Sequence, residues 1–195
     1  DIVRYPNGEK IGKFYVPTSL ADYRALYRGY LTDPDLQDAR AQWPFVPVWD
    51  NHEFSWQAYQ SQQVFGGKAR PAQRVKVAAS QAWYEFQPAR VRKPGAGDPF
   101  EAPVVQDAPL TTLDERGLGL EPNNLTAVNA LKIYRAFRFG RNVDMILTDI
   151  VQAPWHARRA SAEALPFGDG ELGALVLFDV LHHIAERAAT HVGLH

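Results

Sequence analysis

Among the 195 residues of this chain there is no cysteine. Disulfides, thiolate metal ligands and cysteine nucleophiles are thereby excluded, while the redox compartment stays open. An excess of charge is also missing: 21 Lys plus Arg stand against 22 Asp plus Glu, for a formal charge of −1. No global field advertises nucleic acid or an anionic membrane, so an anionic ligand has to be drawn locally. No stretch approaches the roughly 20 apolar residues that would span a bilayer. The sequence opens Asp1-Ile2-Val3-Arg4 without a Met, a signal peptide or a basic leader, as a processed product, a trimmed chain or a fragment would. What is present is globular: 46% hydrophobic and 12% aromatic residues, enough for one good core or two small ones.

One stretch stands out, Pro44 to Trp56. The apolar run Phe45 to Trp49 leads into four consecutive polar residues, Asp50, Asn51, His52 and Glu53, and aromatics resume at Phe54 and Trp56. Such a loop at the end of a buried strand offers oxygen ligands for a metal and an imidazole that can donate a proton. By spacing alone, a polar surface turn accounts for it equally well. Pro47 shortens any strand here, because proline cannot donate a ladder hydrogen bond.

Around it, the pattern predicts a hairpin or loop within residues 1–17 and helices over 19–42 and 70–87. Ser19 and Asp22 form a capping box, and Tyr23, Tyr27 and Tyr30 make a packing stripe. Asp33 and Pro34 restart the helix, with Leu36, Ala39 and Trp43 toward the core. Arg70-Pro71 opens the later helix, on which Arg70, Arg74 and Lys76 read as a solvated basic face. Residues 87–129 hold six prolines and no sustained periodicity, so they read as a covering loop or a partly disordered segment, with Asp107, Asp114 and Glu115 as solvated acids. Residues 131–150 read as an antiparallel hairpin turning at Gly140-Arg141-Asn142. Its Arg138 and Arg141 are candidates to hold a phosphate in bidentate fashion, against the commoner reading of exposed strand arginines.

Trp49-Asp50-Asn51-His52-Glu53 resembles the metallophosphoesterase signature as it stands in the PhoD-like alkaline phosphatase D family. Leu20 to Gln42 resembles the helical segment before that signature, and Ala136 to Asp149 the later strand pair. The resemblance implies a phosphoester hydrolase, an alkaline phosphatase or phosphodiesterase, dependent on divalent or trivalent metal ions (Ca, Fe, Mn or Zn). It makes Asn51, with Asp50, the expected metal ligand and His52 the expected catalytic residue. It also implies a phosphoester substrate and a family that is often exported.

From about Thr148 the resemblance changes. Ser161 to Gly170 and Ala174 to His183 are similar to the middle of a class I S-adenosylmethionine-dependent methyltransferase. The expected domains are therefore 1–148, PhoD-like, and 149–195, methyltransferase-like. The expected fold class is α/β: a partial metallophosphoesterase-like mixed sheet with flanking helices, plus a C-terminal strand at 173–179 and a short helix. Motifs that complete either site are missing, so this chain is expected to be a weak hydrolase or an inactive one. The alternatives are a methyltransferase-like module, or a non-catalytic fusion or interaction segment that self-associates through exposed sheet edges. His182, His183, His191 and His195 are expected to be structural or solvated.

Overall fold

Gly12 adopts a left-handed φ of +59°, and around it Glu9–Ile11 (β1) and Phe14–Val16 (β2) pair antiparallel, Lys10 opposite Tyr15. Glycine at the first position of a two-residue loop matches the twist of the strands it joins. The computed structural model containing this hairpin describes residues 5–49, 53–55, 58, 60–87, 89, 100–115, 117–141 and 143–147. The strand expected at 173–179 and the helix after it lie outside the described residues, as do the four C-terminal histidines.

The next element begins where its capping box places it. Ser19 accepts from the Asp22 amide, and Asp22 reaches back to the Ser19 amide at 3.0 Å, starting Leu20–Leu31 (α1). Asp22 is buried and also accepts from the amides of Asn7 (2.7 Å) and Thr18 (3.0 Å), which ties the first hairpin to the helix. Burial pushes its carboxyl up, but the hydrogen bonds from Asn7, Thr18 and Ser19 outweigh that and hold it below the ordinary value. Asp33 then caps Pro34–Gln42 (α2), with Pro34 in the first turn. The restart is as expected, but the core-facing role is not: α2 buries none of its residues, and Trp43 is 68% exposed.

Phe45 to Trp49 forms no strand. Pro44 and Pro47 deprive it of ladder donors, and Phe45, Val46 and Val48 are exposed, leaving Trp49 as the buried residue of the run. Gln62–Phe65 (β3) and Lys68–Pro71 (β4) instead form a hairpin across Gly66-Gly67, both at positive φ, as a type I′ turn requires. Arg70-Pro71 therefore ends a strand rather than opening a helix.

The helix follows at Gln73–Phe86 (α3). Its cap position, Ala72, offers no side-chain oxygen; Asp107 supplies one from outside, accepting from the Arg74 amide at 2.9 Å and from Arg74 Nε at 2.8 Å. A carboxylate at this end also complements the helix dipole. Half of α3 is buried, and it serves two hydrophobic clusters. Val77 and Trp83 pack with Trp49, Phe100, Leu131 and Ile133, while Ala79 and Ala82 pack with Tyr23, Phe54 and Ala58.

The proline-rich stretch is anchored by side chains rather than by strands. Gln73 exchanges two hydrogen bonds with the Ala108 backbone. Glu121 accepts from the amides of Thr111 and Thr112, and these bonds pull its carboxyl down to about 2. A short helix that the sequence did not signal, Pro122–Val128 (α4), starts with proline in its first turn. Its buried Asn124 bonds to Ser61, to Gln60 Oε1 (3.0 Å) and to the Gly119 carbonyl (2.8 Å). Gln60, at a left-handed φ of +55°, also spans Gly117 and Gly119. That conformation costs a non-glycine residue roughly 1–2 kcal/mol, which the three side-chain bonds offset.

The residues up to Tyr134 lie in one compact unit, and the hairpin Arg135–Phe139 (β5) with Val143–Leu147 (β6) belongs to a second. In that hairpin Gly140 turns at φ +63°, and Phe137 and Phe139 share a face with ring centroids 6.2 Å apart. Leu131 and Ile133, expected within the hairpin, belong instead to the core of the first unit. Helices and antiparallel pairs together are consistent with an α/β class. In place of one mixed sheet, the described strands form three separate two-stranded antiparallel sheets.

Two outcomes are expected. Asn124→Ala strands polar partners in the interior and should cost about 2–4 kcal/mol in urea unfolding, against less than about 1 kcal/mol for Asn129→Ala, whose one side-chain bond is exposed. Asp22, with its folded value lowered, contributes stability that is complete above the unfolded value of about 4 and is lost as the pH falls through the folded value. Acid unfolding of Asp22→Asn should therefore show a shallower loss of stability below about pH 4 than that of the parent chain; identical slopes would remove Asp22 from the acid transition.

Candidate active site

The polar run that the sequence singles out has a buried aromatic residue on each side. Trp49 precedes it and lies in the first hydrophobic cluster, its ring 6.1 Å from that of Trp83; Phe54 follows it and lies in the second. Phe54 is held a second way, since its carbonyl accepts a short hydrogen bond from the Tyr23 hydroxyl of α1. Burial pushes the Tyr23 phenol well above its usual value, which keeps it a donor. Asp50, Asn51 and His52 themselves lie outside the described residues.

Beneath both rings is a residue that the sequence reading placed in solvent. Lys76 of α3 is fully buried, with Nζ 3.4 Å from the centroid of Trp49 and 5.5 Å from that of Phe54, and 3.4 Å from Ser80 Oγ. An ammonium over an aromatic face, away from water, gains about 2 kcal/mol. A signal was available: Lys76, Ser80 and Trp83 recur at the i, i+4, i+7 spacing of the buried face. The other members of the supposed basic face are ion-paired, Arg70 with Glu9 and Arg74 with Asp107. Asp107 is thus a helix cap and salt-bridge partner, not a solvated acid.

Glu53, the last residue of the run, sits at the edge of a cavity with Phe54 and Ser55. Tyr27 of α1 forms part of the wall, stacked on Phe86 at 5.5 Å and 12°. Its phenol is pushed up by burial and further by the nearby Glu53 carboxylate, with a hydrogen bond to Gln87 opposing. Tyr27 thus packs as the stripe predicted, while Tyr30 is exposed. Arg40 of α2 reaches the same wall and donates to Gln87 Oε1 at 3.3 Å.

Of the expected phosphate-binding arginines, Arg138 lies in β5, across from Asp144 in register, and Arg141 in the turn after Gly140; both side chains are exposed. They share the hairpin of the second unit. Among the described residues no three histidine, aspartate or glutamate side chains converge on a point where a metal ion would be held. The described donors alone do not make a metal centre, and the oxygen donors expected at Asp50 and Asn51 fall outside them.

No helix among the described residues is long and apolar enough to cross a membrane. No curated protein and no solved structure matches the chain. The methyltransferase resemblance of the C-terminal stretch finds no support in these comparisons. A family model, PhoD-like phosphatase, matches residues 7–154. The match takes in the helical segment α1–α2, the polar run with its two buried aromatic flanks, Lys76 beneath them and the β5–β6 hairpin. Since that span is about three quarters of the 195 residues, the chain belongs to the PhoD-like phosphatase family.

Proposed function

We propose that this chain hydrolyses phosphoesters, with Asp50-Asn51-His52-Glu53 as its reactive segment. The observation that carries the reading is the PhoD-like phosphatase match over residues 7–154, within which the segment falls. In this reading Asp50 and Asn51 are metal ligands: their oxygens are hard donors of the kind that divalent and trivalent cations take, and further ligands must join them, since such ions take about six. A metal bound there supplies Lewis acidity toward the phosphoryl oxygens and toward water. The His52 imidazole protonates the ester oxygen as it departs, so that water adds to phosphorus, the P–O ester bond breaks, and the bonding pair leaves on an oxygen that is neutralised at once. Trp49 and Phe54, each buried in its own cluster, are the residues on either side of the positions that would act, and phosphoryl transfer depends on positioned charge. Arg138 and Arg141, on the hairpin of the second unit, are proposed as phosphate-binding residues only by the bidentate geometry that guanidinium groups offer.

Lys76 is proposed as a positioning residue, because it is fixed against both framing rings. Two outcomes follow for the purified protein supplied in turn with Ca²⁺, Fe³⁺, Mn²⁺ or Zn²⁺. His52→Ala should lower the hydrolysis of phenyl phosphoesters by about a hundredfold or more, and that of 4-nitrophenyl phosphoesters, whose leaving group needs little protonation, by less. An unchanged rate in a metal-stimulated parent would remove His52 from the reaction. Lys76→Met should lower kcat by about tenfold or more with little change in KM, and Lys76→Arg should recover part of it. Equal loss in both variants, accompanied by a changed circular dichroism spectrum, would reduce Lys76 to a purely structural role.

A further inference from the structure

The cavity beside Glu53 has a volume of about 560 Å³, within the range of sites that hold small organic groups. Its walls are largely aromatic and aliphatic, contributed by α1, α2, the end of α3 and the residues that follow the reactive segment. Polar groups interrupt that apolar lining at the edge, among them the Glu53 carboxylate, the Tyr27 hydroxyl and Gln87. The stacked pair Tyr27–Phe86 supplies an adjacent aromatic wall.

We propose that this cavity is the subsite for the organic ester group of the substrate, and that it selects an aromatic group over an alkyl one. The inference rests on the phosphoester reading for the identity of the occupant, because the cavity begins at Glu53, the residue that follows His52 in the chain. Its chemistry is independent of that reading. The ring of the ester lies against the apolar and aromatic wall, and an alkyl ester leaves that wall unfilled.

Two experiments test this together. The first compares phenyl 4-nitrophenyl phosphate with methyl 4-nitrophenyl phosphate, which share a leaving group and differ in the retained ester group. The second titrates phenylphosphonate and methylphosphonate, which are not hydrolysed, by calorimetry. The parent protein should prefer the phenyl ester by about tenfold or more in kcat/KM, and phenylphosphonate should bind more tightly than methylphosphonate by a similar factor. Leu26→Trp, which fills the cavity from α1, and Phe86→Ala, which removes the ring stacked on Tyr27, should each reduce both ratios toward one. Hydrolysis of both esters at equal rates, with ratios unmoved in either variant of unchanged circular dichroism, would overturn the subsite while leaving the hydrolase reading in place. Phenylphosphonate binding that the variants weaken, in a protein that hydrolyses neither ester with any metal, would keep the aryl site and overturn the hydrolase reading instead.

Discussion

The arrangement of the first unit depends on one buried cation. Lys76 lies on a helix whose exposed positions are few, under the faces of Trp49 and Phe54. Burying an ammonium is expensive, and an isolated lysine would leave the interior or drag its helix outward. Two aromatic rings are brought to it, from sequence positions 27 and 22 residues earlier. The chain between those rings is the polar run. α3 therefore not only fills the core but packs against the residues on both sides of that run, through contacts in two different hydrophobic clusters.

Polar side chains do elsewhere what strands do in many α/β proteins. Between Phe100 and Glu121 the described backbone forms no regular element beyond the isolated Leu113–Gly119 bridge. It is held by amides and carboxylates instead: Gln73 pairs with the Ala108 backbone as a strand would, Asp107 completes α3, and Glu121 gathers two threonine amides. The buried Gln60–Asn124 pair closes the set. The Asp107 and Glu121 bonds are exposed and charge-assisted, while the Gln60–Asn124 pair is made away from bulk water, where a missing partner costs more than the bond itself contributes. A long segment rich in proline can then be ordered without a ladder, which proline cannot join.

The sequence made the local chemistry legible and left the long-range partners hidden. The Ser19–Asp22 box, the Asp33-Pro34 restart and the turn at Gly140 follow from short-range rules, and the structure has all three. Gly66-Gly67 was an equally clear type I′ signal, but the polar residues around it masked the strands, and the helix start was drawn three residues early as a result. Trp43 and Lys76 were inverted for one reason: helical spacing identifies faces without saying which face a neighbour covers. For α2 no described neighbour covers Trp43, which stays in solvent, whereas for α3 two clusters arrive and the lysine is enclosed. Of the candidate site, the sequence singled out the polar run, and the structure buries its flanks Trp49 and Phe54. The cavity was not legible, because Tyr27, Arg40, Ser55 and Phe86 come from four segments with no common spacing.

A nearly neutral chain has to generate attraction for a phosphoester at short range. Here the first unit places a lysine on one side of Phe54 and lines a cavity on the same residue with an arginine. Both cations are framed by apolar groups, so water screens them less than it screens the surface pairs Arg24–Glu85 and Arg70–Glu9, whose side chains are partly exposed. The surface pairs cancel one another locally and contribute little field. For the proposed hydrolase, this ties binding of an anionic ester to how the core is packed as well as to how many charges the chain carries.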